Sequence, residues 1–183
     1  MGSKVSVGGP RLADMTTPPK IPNGERADLL QTLQRHRGFL RFTVRDLTDE
    51  QAALTPTASA LCLGGLIKHV AVTEQRWMRF VVGGAEAMQN EALDWANLFR
   101  MTEGDTLAGL LEAYEKVAHE TDELVATLPD LDASHPLPAA PWFEPGAAWS
   151  ARRVLLHIIA ETSQHAGHAD IIREALDGSK TMG

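Results

Sequence analysis

Cysteine is nearly absent. Cys62 is the one thiol in the 183-residue chain, so no internal disulfide can form and the chain suits a reducing cytoplasm. Cys62 lies between Leu61 and Leu63 at an expected helix start, where a buried small apolar side chain is a better reading than a nucleophile. Positive charge is also in deficit. Lys and Arg total 17 against 24 Asp and Glu, a net charge of −7, which excludes the basic stripe of a nucleic-acid surface. Long apolar runs are missing too: charges interrupt every few residues, so no segment is expected to span a membrane. The first residues lack the apolar core of a signal peptide. There is no Gly-x-Ser-x-Gly elbow, no phosphate-binding glycine loop and no Cys-x-x-Cys pair, which removes the signatures of several common chemistries.

With 44% hydrophobic and 22% charged residues, the remaining composition is that of an ordinary globular protein. Its length fits one domain. Residues 1–20 read as a flexible tail with Met15 as a candidate natural start, and residues 21–183 as the single domain. Four long segments carry the 3.6-residue period of helices, and none shows sustained strand alternation. The first begins near Glu25 and places Leu29, Leu33, His36, Leu40, Val44 and Leu47 on one face. Thr48-Asp-Glu-Gln51 has the form of a capping box opening a short helical turn. The second segment runs from about Ser59 to Val82, with Gly83-Gly84 expected to stop it. After a loop holding Trp95 and Phe99, the third runs from about Gly104 to Leu128 and ends at Pro129. Five of the ten prolines lie at 129, 136, 138, 141 and 145, so this stretch is expected to be an extended loop. It carries Trp142, Phe143 and Trp149, as a pocket wall would. Ser150 then caps the fourth segment, which runs to Asp177-Gly178. Four such helices, with long loops between the second and third and between the third and fourth, predict an all-α four-helix bundle.

The fourth segment holds the most informative pattern, His157-x-x-x-Glu161-x-x-x-His165-x-x-His168. On a helix, Glu161 and His165 differ by about 40° around the axis and about 6 Å along it, so both can reach one cation. His157 and His168 fall on the same stripe. Titratable groups on an otherwise apolar face are costly to bury unless something binds them. A chance cluster among seven histidines and a satisfied core histidine are the bland alternatives. A tetrahedral site needs a further ligand from another helix. His69, in the small and apolar setting Gly64-Gly65-Leu66-Ile67-Lys68-His69-Val70, fits best, with His36 as runner-up. Those glycines would let another backbone or a ligand come close. Asp170 either orients an imidazole or, the favoured reading, pairs with Arg173.

Leu66-x-x-His69-Val70 with Trp77 eight residues on, followed far downstream by Glu161-x-x-x-His165-x-Gly167, resembles the DinB-like metalloprotein superfamily of four-helix proteins. The resemblance spans about residues 25–178. The tail from His157 through Arg173-Glu174 to Asp177-Gly178 is similar to an actinobacterial subgroup that includes mycothiol-dependent maleylpyruvate isomerase and thiol S-transferases. Most of the superfamily carries three histidines, whereas this chain has Glu161 in the first position of the tail pair. The resemblance implies a divalent metal held by His69, Glu161 and His165, with His168 beside the site. It implies Zn²⁺ foremost, with Ni²⁺ or Fe²⁺ as alternatives, and a homodimer. The implied activity is transfer of a low-molecular-weight, mycothiol-like thiol to an electrophilic small molecule. Two histidines and a carboxylate leave a coordination position open, as catalytic rather than structural sites do. A metal-dependent hydrolase, or a non-enzymatic metal-binding bundle of stress responses, would need the same ligands.

Overall fold

The computed structural model describes residues 24–89 and 93–181. The tail expected at residues 1–20 lies outside the described residues. The chain forms α1 (Glu25–Thr43), α2 (Asp49–Ala53), α3 (Leu63–Met88), α4 (Leu107–Thr127), β1 (Ser134–Pro136), β2 (Ala148–Ser150) and α5 (Ala151–Asp177). It is an all-α architecture with one two-stranded antiparallel ribbon. No helix among the described residues is long and apolar enough to cross a membrane. α1 packs on α5 and α4, and α3 packs on both α4 and α5.

Local chemistry sets most helix ends. The capping box at α2 forms as the sequence requires: Gln51 N–H donates to Thr48 Oγ1 at 3.2 Å and Thr48 N–H to Gln51 Oε1 at 3.0 Å. Ser150 accepts from Arg153 N–H at 3.2 Å at the start of α5, and Gly178 ends it. α3 begins at Leu63 rather than near Ser59. Its cap is the buried Cys62, whose sulfur accepts from Gly65 N–H at 3.3 Å. α1 stops four residues short of Leu47. The Arg173 guanidinium of α5 donates to the carbonyls of Thr43 and Arg45 at 2.7 and 2.8 Å, satisfying helix-end acceptors that would otherwise lack partners. Arg173 also pairs with Asp177 at 2.9 Å, while Asp170 accepts from Thr181 N–H. The expected Asp170–Arg173 pair is therefore replaced, because the buried carbonyls draw the guanidinium toward α1.

Two expectations are corrected. Gly83-Gly84 kinks α3 instead of ending it, and the helix resumes to Met88. Gly84 adopts φ +70°, and a Cβ there would lie 3.2 Å from the His135 ring, so the kink makes room for the ribbon strand packed beside it. The proline-rich stretch is not wholly irregular either. His135 pairs with Trp149, and Ser134 and Pro136 pair with Ser150 and Ala148. Strands of three residues are too short for alternation to register, and Pro136 sits at a strand end, where a missing N–H is tolerated.

The core divides into two clusters. One gathers Leu33, Trp77, Phe80, Val154 and Ile158, and the other Leu40, Leu66, Val70, Tyr114, Ala169 and Ile172. Along α5 the first ends at Ile158 and the second begins at Ala169, and Glu161 and His165 fall in the gap. Arg37 of α1, Glu74 of α3 and Asp122 of α4 bridge the helices with buried and half-buried ion pairs.

At the start of α3 the glycines permit a close backbone approach. A Cβ on Gly65 would lie 2.0 Å from the Phe99 carbonyl oxygen and 2.7 Å from Arg100 N. Backbone cannot rotate away as a side chain can. Gly65→Ala is expected to cost about 3 kcal/mol, the upper end of overpacking penalties, read as a lowered urea midpoint. An unchanged midpoint would mean that the 99–100 segment is free to move off α3.

Candidate metal centre

His69 comes from the first half of α3 and is 8% exposed. Its ring stacks on Phe99 with centroids 4.0 Å apart and meets the His165 ring edge-on at 4.6 Å. Neither of its ring nitrogens has a hydrogen-bond partner. A buried imidazole with both nitrogens orphaned is unusual in a folded protein and calls for an explanation.

For Nε2 the explanation lies across the helix interface. Glu161 Oε2 is 3.8 Å from His69 Nε2 and 3.5 Å from His165 Nε2. These separations are too long for good hydrogen bonds. They are close to the roughly 3.4 Å between donors of a tetrahedral site with ligand bonds near 2.1 Å. One donor atom from each of His69, Glu161 and His165 lies within 4.8 Å of the others, a group able to hold a metal ion. Through one charge and two imidazoles, the donor set suits a first-row divalent cation. The neighbouring imidazoles, His165 first and His69 second, hold the Glu161 carboxyl well below the usual carboxylate range against the opposing effect of burial. The charged form that a cation needs is thus the favoured form of Glu161.

The other histidines take distinct places. His168 Nδ1 lies 3.3 Å from His165 Nδ1. If His165 turns its Nε2 lone pair toward a cation, its Nδ1 carries the hydrogen and donates to His168, which fixes ring orientation. His157 Nε2 stands 4.0 Å from Glu161 Oε1, on the carboxylate's other side. It meets both Trp77 and Trp149 edge-on, and burial pushes its imidazole pKa down. His36 is away from the group. It is half-buried on α1, edge-on to Phe39, because Leu33, Arg37 and Leu40 take the inward face there. His119 is exposed beside Glu123, and His135 belongs to the ribbon.

Two of the three donor residues, His69 and Glu161, line a pocket of about 520 Å³ together with His157. Residues 138–143 of the proline-rich stretch also line it, as the clustered aromatics suggested. Sequence reasoning passed over Thr73 and Arg76, which line the same pocket. They follow His69 on α3 at i+4 and i+7, a spacing that places them on its face. Phe99 was noticed only as a loop aromatic. Its place over His69 is a nonlocal contact with no signature in the spacing.

No curated protein and no solved structure matches the chain. The family model described as mycothiol-S-transferase matches residues 28–178, most of the chain including the three donors, and the chain belongs to that family.

Proposed function

We propose that this protein is a divalent-metal-dependent thiol S-transferase built as a DinB-like four-helix bundle. The metal would be held by His69, Glu161 and His165. The single observation that carries the reading is the buried His69 imidazole whose unpartnered Nε2 lies near Glu161, in one donor group with His165 beside a pocket, in a chain of the mycothiol-S-transferase family. A cation there, Zn²⁺ foremost with Ni²⁺ or Fe²⁺ as alternatives, would favour the thiolate form of a bound thiol near neutral pH. The chain's own residues do the rest. His69 and His165 present neutral donors, and Glu161 supplies one negative charge, so the ligand set leaves a net positive centre that draws an anionic sulfur. His168 orients His165. Phe99 covers one face of His69 and keeps water from its ring. The wall of residues 138–143 encloses the substrate. The small-molecule substrate is a mycothiol-like thiol with an electrophilic acceptor. The same reading includes a cytoplasmic homodimer, and sedimentation at micromolar concentration checks the dimer.

The test is a conjugation assay with several low-molecular-weight thiols, metal present or chelated, against a reactive haloaryl acceptor. Thiol-selective turnover that disappears with chelator and returns with Zn²⁺ is expected. Full turnover in chelator would remove metal dependence. Ester or amide cleavage without thiol transfer would favour the hydrolase. Metal bound without either activity would favour the binding bundle.

A further inference from the structure

His69 and Glu161 account for only two of the residues that line the pocket. Polar groups there include Thr73, Arg76 and His157, and Gln89 is the remaining uncharged polar liner. Most of the wall is carbon, from Val72, Leu93 and Leu98 as well as Pro138, Pro141 and Phe143. Trp95 and Trp142 also line it, although they are 67% and 69% exposed. They come from two separate loops, one between α3 and α4 and one between β1 and β2. The other exposed large apolar side chains among the described residues, Phe42, Leu54, Val82, Leu156 and Ile171, line no part of this pocket. Single exposed apolar residues need no account. Two tryptophans left open to solvent while lining one cavity do, because such apolar surface marks a binding site.

The wall is also stiff. Trp77 stacks on Trp149 with centroids 4.8 Å apart, and Phe143 meets both edge-on. Trp142 meets Phe143 edge-on at 6.1 Å, which ties the exposed ring to the buried ones. A rigid aromatic surface with few hydrogen-bonding groups is a poor host for a hydroxyl-rich body, whose buried polar groups would go unpaired. It is a good host for a flat ring, which can stack face-on or edge-on.

We propose that this apolar part of the pocket is the acceptor subsite and takes a planar, ring-bearing electrophile against Trp95 and Trp142. The word acceptor rests on the thiol-transfer reading, whereas ring binding does not. In the transfer, the thiol sulfur forms a bond to the electrophilic carbon and its proton leaves. The leaving group departs with the bonding pair, so no oxidant or reductant enters. The hydrophilic body of the thiol is left to the polar side chains of the lining.

Binding and turnover test it separately. Naphthol, a flat ring that cannot react, is titrated calorimetrically into the full chain with metal and after chelation. Trp142→Ala and Trp95→Ala are each expected to weaken binding about tenfold, as loss of one stacked aromatic contact does. Ile171→Ala, an equally exposed change outside the pocket, should leave it unaltered, and chelation should have little effect. In turnover, KM for chlorodinitrobenzene should rise by a similar factor in the tryptophan variants with kcat preserved. KM for iodoacetamide, which has no ring, should stay within about twofold. Naphthol binding that ignores both tryptophans overturns the proposal, as does an equal KM rise for the two acceptors. Tryptophan-dependent naphthol binding in a protein that transfers no thiol would keep the ring site and remove the transferase. Metal-dependent transfer with both variants unchanged would do the reverse.

Discussion

Replacing His69 by alanine is expected to abolish metal-dependent turnover, with a loss of at least about a thousandfold in kcat/KM, and to empty the centre. In the proposed centre three protein ligands hold the metal, and removing one would leave a histidine–carboxylate pair from a single helix, Glu161 and His165, with no anchor across the interface. His165→Ala should have the same effect. Glu161→Gln keeps the shape but removes the charge that offsets the cation, so metal affinity should fall steeply while the fold stands. His168→Ala touches the His165 ring and no donor atom of the group, so a loss of only about 10- to 100-fold in metal affinity is expected. Elemental analysis and calorimetric metal titration of protein purified without chelator read all four. Full occupancy in His165→Ala would move the site to His157 or His168.

Acid should empty the same centre, and the direction follows from the groups present. Protons compete with a metal for imidazole nitrogens and for the carboxylate. Glu161 is held below the ordinary carboxylate range by the imidazoles beside it, so it stays charged and contributes to binding until well below the pH at which free imidazoles protonate. The imidazoles therefore limit binding. Occupancy should be complete above neutrality and fall as pH drops below about 6. Occupancy that persists well below that pH would mean that the metal holds the imidazoles against protonation.

What could be read from the chain follows the range of the interactions. Glu161 and His165 are four residues apart, and a helix brings such a pair together whatever surrounds it, so their proximity was visible in the spacing. The four long periodic segments are helices for the same local reason, and Ser150, Thr48 and Gly178 act at their ends as their chemistry dictates. Errors occur where a distant contact decides. Arg37 takes the inward position assigned to His36, because Glu74 and Asp122 lie across from it and can partner a guanidinium. α1 ends early because Arg173, 130 positions away, takes its carbonyls. Gly83-Gly84 reads as a stop in isolation, but the ribbon strand packed at Gly84 turns it into a kink. His69 was legible as a third partner because its neighbours are small and apolar. The Phe99 ring that covers it was not, since only the close packing of Gly65 on the 99–100 backbone brings it there.

Glu74→Ala is expected to destabilise the fold by about 3 kcal/mol and up to about 5. Arg37 is 3% exposed and Glu74 fully buried, and the guanidinium donates through both Nε, at 3.1 Å, and Nη2 to the two carboxylate oxygens. Removing the carboxylate strands a cation that cannot give up its proton. Asp122, at 2.8 Å from Nη1, still offers one partner, which places the expected cost toward the lower figure. For a chain of this size the corresponding fall in melting temperature is about 6–12 °C. A double change, Arg37→Met with Glu74→Met, should recover most of the loss, because replacing a buried ion pair by apolar side chains of similar volume is often neutral or stabilising. Recovery in the double variant separates an uncompensated charge from a simple packing defect, which would leave the two losses additive. The consequence for the centre is positional. Glu74 lies five residues beyond His69 on α3, and its pair with Arg37 ties that helix to α1, from which Arg37 also reaches Asp122 of α4. Glu74→Ala protein that is still folded at low temperature should therefore bind metal more weakly than the parent, although no ligand has changed. Unaltered metal affinity at a temperature where the variant is fully folded would show that α3 is held by its apolar contacts alone.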